Sequence, residues 1–172
     1  MNNPSAVAAL QTTLSLSPET AHRGTIAACL AYRAYPLPTD NISPETHAAD
    51  EEFFLTEAMK GNPTWYGKLM ADHTALDWRD SISATFSPPS PKVLVMTSSR
   101  SGCFPSAGPM HVVDLVNNPP SPTSSTKESQ AVGVVVDWGG HWCYWENPEK
   151  FNDLILKWLE NDQISPELGN WR

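Results

Sequence analysis

Positive charge is scarce in this chain. Lysine and arginine number 11 against 19 aspartates and glutamates, a formal charge of −8 over 172 residues. A balance of that sign disfavours wrapping nucleic acid or lying on an anionic membrane surface. Cysteine is sparse too: Cys29, Cys103 and Cys143, far apart and without a CxxC pair. Neither a disulfide framework nor a zinc site is expected, and the thiols read as reduced and inert. No apolar run approaches the ~20 residues that span a bilayer. The opening MNNPSAVAAL lacks a basic n-region and a long apolar h-region, so no secretory signal is expected and the cytoplasm is the expected location. Gly-rich phosphate loops and internal repeats are absent. Two counts run high: 16 prolines, which imply loops and helix starts, and 7 tryptophans, which imply apolar surfaces in need of partners.

The first ninety residues read as helical. Ser17-Pro18-Glu19 is a start signal: serine accepts from free amides, proline suits the first helical position, and glutamate suits the positive end of the dipole. An Ala-rich helix is expected from there to about Tyr32, ended by Pro36 and Pro38. Ser43-Pro44-Glu45 repeats the signal, with a helix to Lys60 and Gly61 as its stop; Phe53, Phe54, Ala58 and Met59 fall near one face. Asn62-Pro63 opens a third helix, with Trp65, Leu69, Met70 and Leu76 in rough period to Trp78.

The character then changes. Residues 86–92, FSPPSPK, read as a linker, and VLVMT from Val93 reads as a strand buried on both faces. A helix is expected from about Ser106 to Asn117, with Met110, Val113 and Val116 inward. Residues 118–130, NPPSPTSSTKESQ, read as an exposed low-complexity loop. AVGVVV over Ala131–Val136 is a second buried strand. The final helix is capped by Asn147 with Pro148 at its first position, and carries the stripe Phe151, Leu154, Ile155, Trp158, Leu159. The expected organisation is therefore a helical segment, 1–85, and a strand–helix–strand–helix segment, 86–172. The second is the end of a parallel α/β sheet and leaves an edge through which self-association is expected.

Chemistry concentrates in Asp137-Trp138-Gly139-Gly140-His141-Trp142-Cys143-Tyr144-Trp145-Glu146-Asn147-Pro148. A strand ends, two glycines allow a tight turn, and a histidine stands at the strand's carboxyl end. Sites in open α/β sheets collect there. Histidine's titration range suits a general base, so His141 is the candidate catalytic residue. Its bland alternative is a half-buried histidine between tryptophans.

GGHWCYWENPEKFNDLILKWL resembles the C-terminal part of an α/β-hydrolase-fold protein, where a late strand ends in a Gly-x-Gly-His or Gly-Gly-His turn before the last helix. PKVLVMTSSRSGCFP resembles the penultimate strand and its loop, and LDWRD the Asp-aromatic-Arg step before it in haloperoxidase-like and esterase-like members. The resemblance covers about residues 70–160. It implies that the upstream helices form a lid and that His141 is the base. It implies hydrolysis of an ester, lactone or amide in a small apolar substrate, without cofactor or metal. Two family parts are missing. No Gly-x-Ser-x-Gly nucleophile elbow occurs, so the elbow is expected upstream in a longer parent. Ser101 stands at the usual acid position, and a serine cannot compensate an imidazolium as a carboxylate does. The alternative expectation is therefore a truncated or degenerate homologue acting as a non-catalytic binding or partner-dependent module.

Other residues carry weaker readings. Ser99, Ser101 and Cys103 lie in a loop that would face His141. A Ser–His or Cys–His pair is the chemical reading, and a polar loop with one small thiol the plain one. Asp72, His73, Asp77 and Asp80 form a cluster, but Asp72, His73 and Asp77 share no clear helical face, and the group reads as solvated rather than metal-binding. Asp114 reads as exposed, Asp137 as a loop-orienting residue and Cys143 as packing. Trp65, Tyr66, Trp142, Tyr144 and Trp145 either line an apolar pocket or pack in the core.

Overall fold

A computed structural model describes residues 4–86, 92–118, 131–161 and 170–171. Most of the linker reading over 86–92 and of the loop reading over 118–130 falls outside them. The elements are α1 (Pro4–Leu16), α2 (Pro18–Cys29), α3 (Ala31–Ala34), α4 (Pro44–Met59), α5 (Pro63–Ala75), α6 (Arg79–Thr85), β1 (Val93–Ser98), α7 (Ala107–Asn117), β2 (Ala131–Val136), α8 (Cys143–Glu146), α9 (Pro148–Asn161) and β3 (Asn170–Trp171). They divide into two compact units. One holds residues up to Ala28 together with Leu37–Asp77; the other holds Cys29–Pro36 and the chain from Trp78 onward.

In the first unit two of the three start signals cap as expected, while Ser17 Oγ instead meets Thr20 Oγ1 at 2.7 Å. Ser43 Oγ accepts from Thr46 N at the head of α4, and Asn62 Oδ1 accepts from Thr64 N and Trp65 N at the head of α5. Gln11 Nε2 of α1 donates to the Gly67 carbonyl of α5 at 3.0 Å. The expected apolar faces fare differently. Leu55 is the buried residue of α4, whereas Phe53 and Met59 are exposed, as are Trp65 and Leu69 of α5. Helix α5 stops at Ala75 rather than near Trp78, because Leu76 turns extended at ψ 135°. A histidine lies among the buried residues here: His22 meets the ring of Tyr66 at 5.4 Å, tilted by 60°.

The second unit is a mixed helix and strand assembly, and its sheet shows why the valine-rich runs carry no polar alternation. β1 and β2 pair in parallel from Val93↔Ala131 to Ser98↔Val136. Alternate side chains leave opposite faces of a strand. Leu94, Met96, Val132, Val134 and Val136 therefore pack with Leu154 and Trp158 of α9. Val93, Val95 and Ala131 pack with Val113 and Val116 of α7. A helix on each face makes both faces interior. α7 sits close: a Cβ on Gly133 would lie 2.7 Å from Met110 Sδ and 2.9 Å from Val113 Cγ2. Asn117 extends the ladder at its entry, donating to the Ala131 carbonyl and accepting from the Ala131 amide, each at 2.8 Å.

Two expectations about this unit change. The sheet is not confined to two parallel strands: β3 pairs antiparallel to β2, Val134↔Trp171 and Val135↔Asn170, so β2 is central. β1 is accordingly only half-buried apart from Ser98, whereas β2 is mostly buried. The helix expected to run unbroken to Tyr32 also splits at Leu30, which turns extended at φ −91°, ψ 123°. That kink frees the Ala31 amide from the helical ladder, and Glu146 takes it up.

Candidate functional site at the carboxyl ends of the strands

The two loops that leave β1 and β2 are bound to each other by backbone and hydroxyl groups. Ser99 donates to the Val136 carbonyl from its amide at 2.9 Å and from its hydroxyl at 3.2 Å. Ser98 Oγ donates to the Gly139 carbonyl and accepts from Arg100 N. Arg100 is a buried guanidinium that donates twice to the Tyr35 carbonyl, at 2.9 and 3.1 Å, and once to that of Asp137, at 3.3 Å. It thereby ties both loops to the segment 29–36. Ser101 Oγ accepts from the amides of Cys103 and Phe104, which folds the β1 loop back on itself.

The Gly-Gly turn is held from the other side by Glu146. Its Oε2 accepts from Gly140 N at 2.5 Å and its Oε1 from Ala31 N at 2.8 Å. The Trp142 amide donates to the Cys29 carbonyl at 3.2 Å. Only glycine fits at 140, since a Cβ there would lie 2.4 Å from the Cys29 carbonyl oxygen and 2.6 Å from Ala31 N. Burial pushes the Glu146 carboxyl above its ordinary range, opposed by these amide bonds and by Arg100.

His141 stands on the outer side of this turn, exposed, with its ring 5.7 Å from that of Phe104 in the β1 loop. The two strand-end loops thus meet at His141, as their parallel pairing requires. Desolvation by its surroundings lowers the imidazole pKa below 6.5, so the ring is neutral at pH 7. Glu146, five residues on, directs its oxygens to backbone amides.

A pocket of about 340 Å³ opens beside this junction, lined by Tyr35, Ser98, Ser99, Ser101, Phe104 and Ser106 among others. Its wall is rich in hydroxyls. The five aromatics considered as pocket residues are not in that wall; Trp65, Tyr144 and Trp145 are exposed. Cys103 pairs with a residue the sequence did not suggest: its Sγ lies 3.2 Å from Cys29 Sγ. All three cysteines are free, and burial pushes the Cys143 thiol up to about 11. Asp114 and Asp137 are exposed. Among the described residues no three His, Cys, Asp or Glu side chains converge as a metal site. No described helix is long and apolar enough to cross a membrane.

Arg100, Tyr35 and the anchoring role of Glu146 were not legible in advance. Arg100 gave one signal, a lone cation inside a Ser/Gly loop. Tyr35 acts through its carbonyl, which any residue carries. Comparison with known proteins adds no relative: no family model, no curated protein and no solved structure matches this chain.

Proposed function

We propose that this chain is the lid-like and C-terminal part of an α/β-hydrolase-type enzyme, with His141 as general base in cleavage of an ester, lactone or amide in a small apolar substrate. One observation carries the reading. His141 sits at the carboxyl end of a central parallel strand, on a turn that tolerates only glycine at 140, with its ring against Phe104, a wall residue of the pocket in the neighbouring strand's loop. Its neutral ring is the form a base requires. A base of this kind takes the proton from the attacking hydroxyl and returns it to the leaving group; the hydroxyl-lined pocket would hold the polarised carbonyl.

The assay is release of p-nitrophenolate from short-chain esters by the chain joined to a segment that carries the nucleophile elbow, with and without His141→Gln. Turnover should fall by about 10²–10⁴-fold in the variant. In the wild type it should rise with pH through a midpoint below 6.5, because the lowered pKa frees the base early. Turnover unchanged by His141→Gln would remove the assignment. A second reading is a non-catalytic binding module of the same fold. It is favoured by Glu146 and Ser101, whose oxygens serve backbone amides instead of the imidazole. It predicts no ester turnover even with the nucleophile-bearing segment joined, and histidine-dependent turnover would defeat it.

A further inference from the structure

Cys29 and Cys103 are 74 residues apart in sequence, yet their sulfurs lie 3.2 Å apart within one compact unit. A disulfide needs about 2.05 Å, a closure small enough for side-chain rotation to supply. The two thiols differ in access: Cys29 is buried at 2% exposure and Cys103 is half-buried. They also differ in chemistry. The two sulfurs share a hydrogen bond, which lowers the Cys103 thiol pKa and, with burial, raises that of Cys29. The backbone around both is functional ground. Cys29 supplies the carbonyl that receives Trp142 N and abuts Gly140, and Cys103 follows Ser101 and Gly102 in the loop that lines the pocket.

We propose that Cys29 and Cys103 form a reversible disulfide that fastens the pocket loop to the segment bracing the Gly-Gly-His turn. The oxidant is a low-molecular-weight disulfide such as oxidised glutathione. The Cys103 thiolate attacks one of its sulfurs, forming a mixed disulfide and releasing one small thiol. Cys29 then loses its proton and attacks the Cys103 sulfur, releasing the second. Two protein thiols are oxidised and one small disulfide is reduced to two small thiols, a two-electron exchange. Cys103 is the entry point because it is the more accessible of the two thiols. Cys29 resolves the intermediate because no other described sulfur lies so near. The proposal does not depend on the hydrolase reading.

The test equilibrates the reduced chain with mixtures of reduced and oxidised glutathione below its unfolding transition. Free thiols are then mass-tagged with a maleimide and the tryptic peptides sequenced. Two of the three cysteines should resist tagging, joined as one Cys29–Cys103 peptide, with Cys143 tagged only on unfolding. Cys143→Ala should leave this link unchanged. Cys103→Ser should abolish it, with Cys29 remaining a free thiol. The oxidised chain should melt about 5–10 °C higher, reversed by dithiothreitol, since the link closes a long loop. The proposal is overturned if glutathione stays on Cys103 without passing to Cys29. A link involving Cys143 in the folded chain, or no link under fully oxidised glutathione, also overturns it.

Discussion

Helices α5 and α9 begin alike and end up in different surroundings. Each opens on Asn-Pro: Asn62 caps Thr64 and Trp65, and Asn147 accepts from Lys150 N. They are nearly equal in length, 13 and 14 residues. Yet α9 buries Leu154 and Trp158 completely or nearly so, while α5 leaves Trp65 and Leu69 about two-thirds exposed. The cap chemistry is local, and both helices have it. What α9 has in addition is a sheet face bearing Val134 and Val136, which matches its stripe. An apolar stripe becomes core only where another element presents a face to it.

The contrast can be tested with one substitution on each helix. Leu154→Ala should cost about 3–5 kcal/mol, from lost burial plus the cavity left in the cluster that β1, β2, α8 and α9 share. Leu69→Ala should cost under about 0.5 kcal/mol, because the side chain is 65% exposed. Chemical denaturation of both variants checks this, and equal losses would break the distinction. Next in size is Gly140→Ala, expected to cost about 2–3 kcal/mol because the blocking atoms are backbone. The mirror experiment is Gly24→Ala in α2, where nothing lies within 4 Å. There the helix should gain about 0.5–1 kcal/mol. Thermal melts of the two glycine variants should therefore shift in opposite directions.

Titration separates the units as well. The Glu146 carboxyl has a folded pKa above 4.5. The folded state then holds that proton more tightly than the unfolded state does. Its contribution is full below 4.5 and is lost as pH rises through the higher folded value. His22 behaves oppositely: burial lowers its pKa below 6.5, so its contribution is full above 6.5 and is lost as pH falls through the lower folded value. Denaturation midpoints measured between pH 4 and 7 should show Glu146→Gln removing the first slope and His22→Gln the second. At neutral pH Glu146→Gln should also cost about 1–2 kcal/mol, since one amide oxygen cannot serve Gly140 and Ala31 together.

Much of the second unit was legible because its signals are periodic or local. The run from Val93 and AVGVVV from Ala131 fall on β1 and β2, and the stripe on α9 is buried at Leu154 and Trp158, with Leu159 alone exposed. His141 was legible as a position, at the end of a strand after two glycines. The kink at Leu30 was not, because it is sustained by Glu146, 115 residues away from the Ala31 amide it receives. The same holds for Arg100, whose bonds to Tyr35 and Asp137 go to carbonyls that no residue type announces. Helices α1, α6 and α8 also carried no distinctive boundary; α6 and α8 have no side-chain cap.

By itself the sequence determined where α4, α5 and α9 start, that the runs at Val93 and Ala131 become β1 and β2, and that a histidine would follow a glycine turn. Those outcomes rest on interactions spanning a few residues, which chain order contains in full. Tertiary structure alone decided which stripes found a partner face, that Glu146 serves two amides instead of an imidazole, and that Cys29 meets Cys103. Each of these depends on groups brought together across long stretches of chain, and only packing sets such distances.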